Sequence, residues 1–440
     1  MVSRVPSPTR EVIAAARYPG LAATNRHASS GVETATLVQT ASVPAVSRST
    51  DSTDTTGDDA PSTAFKDRID ARLVAHLAAA FERAWPGFPS AAFESRATDG
   101  LAQLELKARI AQVAAALHGA LPEDVEAAAA IVGRVLDEVD RGDSTMDGWE
   151  LWPVTDWVAL AARGHTEVGL ELLGRLTRYA TGEFAIRPFL DDDPEVVLAE
   201  LSRWVDGDDE HRRRLASEGT RPRLPWAPRL RIAAEDPGFA VDLLDRLVTD
   251  PSEYVRRSVS NHLNDLTRCD EELALGVAQR WLEGAERHGE EDRARAEWVV
   301  RRGLRSLVKA GEPRALRLLG HEPDVAVTAE HFEVLTSRIS LGDAAEWTLD
   351  LVSAEPDTHR VVVDYVIHFV GAAGRTGRKV FKWSTFDLAA GERRRLRRRH
   401  PVRPITTRTY RSGEHRIAVQ VNGTVVAQGA FHLEVPDQGG

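Results

Sequence analysis

Three carboxylates stand out by their spacing: Glu183 in Thr181-Gly-Glu-Phe-Ala-Ile-Arg-Pro-Phe189, Glu218 in Ser217-Glu-Gly-Thr-Arg-Pro-Arg223, and Asp265 in Ser260-Asn-His-Leu-Asn-Asp265. Each interval is close to one helical repeat, so successive helical pairs could bring the acids onto one wall. Converging carboxylates suit the stabilisation of an oxocarbenium-like sugar and the placing of a water for attack on C1′. Taken singly, each acid can equally cap or ion-pair its own helix. Around the second acid, His211-Arg-Arg-Arg-Leu-Ala-Ser-Glu-Gly-Thr-Arg-Pro-Arg-Leu-Pro-Trp226 joins a basic run to a large aromatic. Gly219, Pro222 and Pro225 are expected to break the backbone there, and Trp226 to stand where the next helix begins. Arg213, Arg214, Arg221, Arg223, Arg256 and Arg257 share segments with the acids, a grouping that fits phosphate anchoring around a reacting sugar. A solvated basic face between helices is the alternative. Trp149, Trp152 and Trp157 offer further π faces, although most tryptophans of a helical array pack in its core.

The elements that must position these residues are helical. From Thr63, Phe65, Ile69, Leu73, Leu77 and Phe81 recur at helical spacing, Trp85-Pro-Gly-Phe-Pro89 ends the run, and a second helix is expected through Leu101, Leu104, Leu106 and Ile110. Similar segments continue to about residue 320 with almost no alternation of period two, so 63–324 is expected to be an all-α domain. Asp193-Pro194, Asp236-Pro237 and Asp250-Pro251 look like recurring helix starts, as in a solenoid of helical pairs. Three such starts alone are weak evidence of repeats. Residues 1–62 are rich in Ser, Thr, Ala and Pro and read as a disordered leader.

From about Val325 the pattern changes to β-branched and aromatic runs: Val361–Val370, Lys379–Phe386 and Arg416–Val421. Turn signals at Ala372-Ala-Gly374, Ala390-Gly-Glu392, Ser412-Gly-Glu414 and Asn422-Gly423 separate them, and 325–440 is expected to be an immunoglobulin-like β-sandwich. Arg393-Arg-Arg-Leu-Arg-Arg-Arg-His400 is the densest positive charge in the chain, either an edge strand or a long loop, and either a DNA-backbone contact or a charge-protected edge.

Composition narrows the chemistry. The single cysteine, Cys269, excludes an internal disulfide framework and any multi-cysteine zinc site. No Walker loop, His-Glu-x-x-His motif or nucleophile elbow is present, so neither a metal nor a nucleotide cofactor is expected. No apolar run is long enough to cross a bilayer. The net charge of −11 argues mildly against nucleic acid, and residues 63–324 carry 35 basic and 48 acidic side chains, so DNA binding there requires the arginines to share a face.

Glu183-Phe-Ala-Ile-Arg-Pro-Phe189, Arg213–Trp226 and Asp250-Pro-Ser-Glu-Tyr-Val-Arg-Arg-Ser-Val-Ser-Asn-His-Leu-Asn-Asp265 resemble the signature blocks of the AlkC branch of HEAT-like-repeat DNA glycosylases. Val363-Asp-Tyr365, Lys379-Val-Phe-Lys382 and Arg403-Pro-Ile-Thr-Thr-Arg408 resemble the Ig-like C-terminal domain that some members carry. The resemblance covers about residues 63–440 and implies an α-α superhelix of HEAT-like repeats followed by an Ig-like sandwich. It further implies monofunctional hydrolysis of the N-glycosidic bond of cationic alkylated bases, 3-methyladenine and 3-methylcytosine, in double-stranded DNA. Glu183, Glu218 and Asp265 would be the active-site acids, the last two mattering most, with Trp226 packing near the lesion. The lesion would be engaged from its sugar face, without a deep base pocket. Arg394, Arg395, Arg403 and Arg408 of the second domain would lie near phosphates. Such a protein is expected to be a cytoplasmic monomer held at the nucleoid by DNA. A non-catalytic solenoid that binds distorted DNA and a protein-interaction scaffold are the other readings; fold alone does not separate them.

Overall fold

The computed structural model describes residues 65–323, 325–371, 376–405 and 408–436, so the expected leader and the Ala372-Ala-Gly374 turn lie outside the described residues. The chain divides into two compact units, Met1–Val259 and Ser260–Gly440.

In the first unit the helices are α1 (Ala71–Ala84), α2 (Ser90–Thr98), α3 (Leu106–Ala120), α4 (Val125–Asp140), α5 (Gly148–Ala161), α6 (Thr166–Leu176), α7 (Arg187–Asp192), α8 (Pro194–Val205), α9 (Glu210–Gly219), α10 (Arg231–Glu235) and α11 (Val241–Leu247). Helix α12 (Glu253–Leu266) runs across the division between the units. The helix expected from Phe65 is shortened by capping: Phe65–Arg68 forms a 3-10 turn, and Asp70 accepts from the Leu73 N–H to start α1. Ile69, Leu73, Leu77 and Phe81 are buried on one face, as their spacing requires, and the chain leaves the helix at Trp85. The second expected helix is split. Leu101–Gln103 is a 3-10 turn after Gly100, whose φ of 63° is left-handed, and α3 begins only at Leu106. Helix α2 escaped the sequence pattern because it buries only Phe93 and Ala97.

Of the three Asp-Pro starts, Asp193-Pro194 opens α8 directly. The other two form turns, with Asp236 accepting from Gly238 N and Asp250 from Ser252 N, and their helices begin at Val241 and Glu253. Helix α4 packs against α6, α6 against α8 and α8 against α11.

The second unit contains α13 (Glu271–Ala285), α14 (Glu290–Gly303), α15 (Arg305–Ala310), α16 (Pro313–Leu318) and eight strands: β1 (Val327–Val334), β2 (Arg338–Ser340), β3 (Ala344–Ser353), β4 (His359–Val370), β5 (Thr376–Leu388), β6 (Arg393–Pro401), β7 (Gly413–Val421) and β8 (Thr424–Glu434). They form two sheets, in the orders β1-β3-β6 and β2-β8-β7-β4-β5. Trp347, Tyr365, Ile367, Phe369, Ile417 and Phe431 fill the space between them at one end, and Leu349, Leu351, Val361, Val363 and Val419 at the other. The Asn422-Gly423 signal does form the β7–β8 hairpin, with φ values of 46° and 85° at its two corner residues. Gly423 is also where helix and sandwich meet: a Cβ there would stand 2.2 Å from the Gly311 Cα.

Candidate active site

Glu183 and Glu218 are brought together by one guanidinium. Glu183 stands in the turn leading into α7, and Glu218 is the penultimate residue of α9. Arg214, one turn earlier on α9, places Nη1 2.7 Å from Glu183 Oε2 and Nη2 3.7 Å from Glu218 Oε1. Arg214 Nη1 also donates to Thr181 Oγ1 at 2.8 Å, and the Thr181 hydroxyl donates to Glu183 Oε2 at 2.8 Å. Arg221 Nη1 donates to Glu218 Oε1 at 2.6 Å, and Ser258 Oγ of α12 donates to Glu218 Oε2 at 2.6 Å. Tyr254, also of α12, lies with its ring 5.3 Å from the Arg214 Cζ.

Charge in this network is set by its partners. Burial alone would raise the Glu218 carboxyl, but Arg221, Arg214 and the Ser258 hydroxyl hold it down to about 2. Burial opposes the charge on Arg214, yet Glu183 and Glu218 hold it protonated well above its ordinary range. Burial raises the Tyr254 hydroxyl, with Arg214 opposing and the two acids assisting. The centre is therefore an alternation of acidic and basic side chains, Glu183–Arg214–Glu218–Arg221, in which Glu218 is held ionised and Arg214 protonated.

Gly219 and Trp226 both differ from expectation. Gly219 is the last residue of α9 rather than a turn glycine, and a Cβ there would stand 2.6 Å from Ile186 Cγ2, so close packing demands it. Trp226 lies in the loop before α10, five residues ahead of the next helix. Its side chain is 71 % exposed and its φ is 67°. A left-handed non-glycine backbone costs about 1–3 kcal/mol and persists only where surroundings hold it. Here they do: Arg187, buried on α7, donates to the carbonyls of Gly219 (3.0 Å), Arg221 (2.8 Å) and Pro228 (2.8 Å), and Lys107 Nζ donates to the Trp226 carbonyl. Arg187 belongs to the Glu183–Phe189 block, but nothing in its spacing revealed this role. Thr181, Ser258, Tyr254 and Lys107 were likewise invisible, since each acts across a long sequence interval.

The remaining candidates are dispersed. Asp265 is buried in the last turn of α12 and belongs to the second unit. Arg213 is taken up by the buried Asp250 at 2.6 Å and by the Gly207 carbonyl at 2.9 Å. Arg256 donates to the Pro251 carbonyl at 2.9 Å, and Arg257 pairs with Glu253 at 2.5 Å on the surface. Arg223 is half-buried beside Pro222. Trp157 is fully buried, whereas Trp149 and Trp152 are half-buried and continue an aromatic row, Trp152 stacking on Phe184 with centroids 6.3 Å apart.

In the second unit the arginine run is strand β6 at the edge of the three-stranded sheet, paired with β3. Its period of two splits the run. Arg393, Arg395, Arg397 and Arg399 are exposed, with Arg395 across from Asp350 and Arg399 across from Glu346. Arg394 instead turns to the Phe386 ring, 4.4 Å away, and pairs with Glu392 at 2.6 Å. Arg403 is exposed, and Arg408 stands 3.7 Å over the Phe369 ring. Among the described residues, no group of His, Cys, Asp or Glu is arranged to hold a metal ion, and no helix is long and apolar enough to cross a membrane.

Comparison with known proteins supplies the context. Residues 328–435 match the family described as the C-terminal Ig-like domain of the uncharacterised protein YhaZ. The uncharacterised protein YhaZ of Bacillus subtilis is 31 % identical over 361 residues, covering 82 % of this chain and 96 % of that protein. Among solved structures, the Pseudomonas fluorescens alkylpurine DNA glycosylase AlkC, bound to DNA containing an abasic site analogue, is similar with a TM-score of 0.75 and 34 % identity. That similarity covers 84 % of this chain and 99 % of that one.

Proposed function

Since the chain belongs to the AlkC branch of the DNA alkylation-repair glycosylases, with its C-terminal Ig-like domain, we propose that it is a monofunctional DNA glycosylase that releases cationic N-alkylated bases from double-stranded DNA. The observation that carries this reading is the pair of carboxylates, Glu183 and Glu218, bridged by Arg214, with an exposed tryptophan, Trp226, following Glu218 in the same sequence block. A carboxylate held ionised cannot donate a proton to a leaving group. It suits a substrate whose leaving base already carries positive charge, as 3-methyladenine and 3-methylcytosine do. The C1′–N bond breaks with its electron pair going to the base, which leaves neutral, and positive charge passes to the sugar. Negative charge from Glu183 and Glu218 stabilises that cation, and Asp265 is proposed as a third acid from its sequence block alone. Both contacts to Glu183 fall on Oε2, so Oε1 is the oxygen we assign to orient the attacking water, whose oxygen bonds to C1′ while its proton passes to bulk water.

Trp226 in this reading packs against the lesion nucleotide, and Arg223 and Arg257 of the first unit and Arg395 and Arg403 of the second are each assigned to phosphates. In this reading the protein acts as a monomer, in the cytoplasm where the chromosome lies. One observation favours a non-catalytic DNA-binding role instead: both Glu218 oxygens already accept hydrogen bonds, as they would in a purely structural network. Chromatography of bases released from methylated duplex by the purified protein, in the presence of chelator, separates the two. Release of 3-methyladenine is expected, and 3-methylcytosine with it. Tight binding with no release would establish the non-catalytic role.

A further inference from the structure

Lys107 is one of five lysines in a chain whose other positive side chains are all arginine. It stands in the first turn of α3, 119 residues before Trp226. Its ammonium has partners of three kinds: a carbonyl, an aromatic ring and two acids. Nζ donates to the Trp226 carbonyl and stands 4.4 Å from the Phe184 ring centroid. Asp156 and Glu183 attract it, while burial works against its charge and leaves its pKa below the ordinary lysine range. Phe184 directly follows Glu183 in the chain.

Arg187 secures the loop at Gly219, Arg221 and Pro228, on either side of the tryptophan. The carbonyl of Trp226 itself is held by Lys107. A left-handed backbone at a bulky, solvent-exposed residue needs such a hold, because the indole makes too little contact to enforce it. We propose that Lys107 is a positioning residue for base excision. By fixing the Trp226 carbonyl it keeps the exposed indole presented to the lesion nucleotide, and by standing on Phe184 it ties that loop to the segment bearing Glu183. The proposal rests on the reading of Trp226 as the residue that packs against the lesion.

The test uses the full chain as wild type, K107M, K107R, W226A and the K107M/W226A double variant. Single-turnover base release from methylated duplex is expected to fall about tenfold in K107M, the scale of a misplaced contact near the reacting centre. K107R should recover part of that loss, since a guanidinium can donate to the same carbonyl. If Lys107 acts through Trp226, the double variant is no slower than W226A. Wild-type rates in K107M, or losses that multiply in the double variant, would overturn the proposal. A second measurement does not need activity: fluorine NMR of protein carrying 5-fluorotryptophan, with the Trp226 resonance identified by its loss in W226F. K107M is expected to shift and broaden that resonance selectively, and an unchanged resonance overturns the proposal. A shifted resonance in a protein whose wild type releases no base would mean that the clamp is real and the glycosylase reading has failed.

Discussion

Glu218 illustrates how much of this site is a matter of charge held in place. Its carboxyl is held down to about 2, well below the ordinary glutamate range. The stabilisation it contributes is therefore complete above pH 4.5 and is lost as the pH falls toward 2. E218Q leaves Arg221 and part of Arg214 without a counter-charge in a buried setting, a loss of about 3–5 kcal/mol at neutral pH. Thermal melts should show that loss, and also a shallower acid dependence for E218Q than for wild type across this window. Parallel acid dependences would mean that Glu218 is not held ionised. Base release by E218Q has to be measured well below its melting temperature, so that lost chemistry is not confused with lost fold. Trp226 is the opposite case: exposed and strained, it should contribute little to stability. W226G removes the left-handed penalty, so it is expected to melt at or above the wild-type temperature while releasing base more slowly. A lowered melting temperature would show that the indole is part of the core.

At the scale of elements, the loop between α9 and α10 is a device for presenting one side chain, and Arg187 is its fastening. Removing that guanidinium with R187M strips the donor from three carbonyls at once, which should cost at least about 3 kcal/mol; a melt within a degree of wild type would show that the loop is secured elsewhere. Strand β6 gives a second prediction, because its alternation gives neighbouring arginines opposite roles. Arg395 and Arg399 face solvent, whereas Arg394 covers the Phe386 ring. If the exposed row meets phosphates, the R395A/R399A variant should lower the slope of log affinity against log salt by about two. R394A should leave the slope alone and reduce stability instead. Equal slopes for all three proteins would return β6 to the role of a charged sheet edge.

For the molecule as a whole, strands begin at Val327, but the second compact unit begins at Ser260. Within that unit the last helices and the sandwich share contacts that a cut at residue 325 would sever. Gly311 packs on Gly423, Asn422 Nδ2 donates to the Glu322 carbonyl at 2.6 Å, and His321 Nδ1 lies 3.3 Å from the Arg360 carbonyl. A chain ending at residue 324 is therefore expected to show faster amide hydrogen exchange in α15 and α16 than the full-length protein. Unchanged protection there would mean that the helices are stable without the sandwich. The same measurement decides whether a fall in DNA affinity on truncation reports lost phosphate contacts or a loosened helical segment.

Hydrophobic periodicity was enough to show that helices precede strands, because burial of one face is written locally: Ile69, Leu73, Leu77 and Phe81 line one face of a helix wherever that helix is placed. The alternation of the strand runs and the Asn422-Gly423 turn were legible for the same reason. Contiguous blocks of sequence also drew attention to Glu183, Glu218 and Trp226 as candidates. What those blocks could not show is which charges answer one another. Arg213 and Arg221 look like phosphate ligands in a string of basic residues, yet each meets a carboxylate of its own chain. Lys107 and Arg187 look unremarkable, yet they hold the one exposed tryptophan in place. Helix periodicity reports the face a residue occupies, whereas pKa, strain and presentation depend on atoms brought within a few ångströms from distant parts of the chain, and that only the tertiary structure decided.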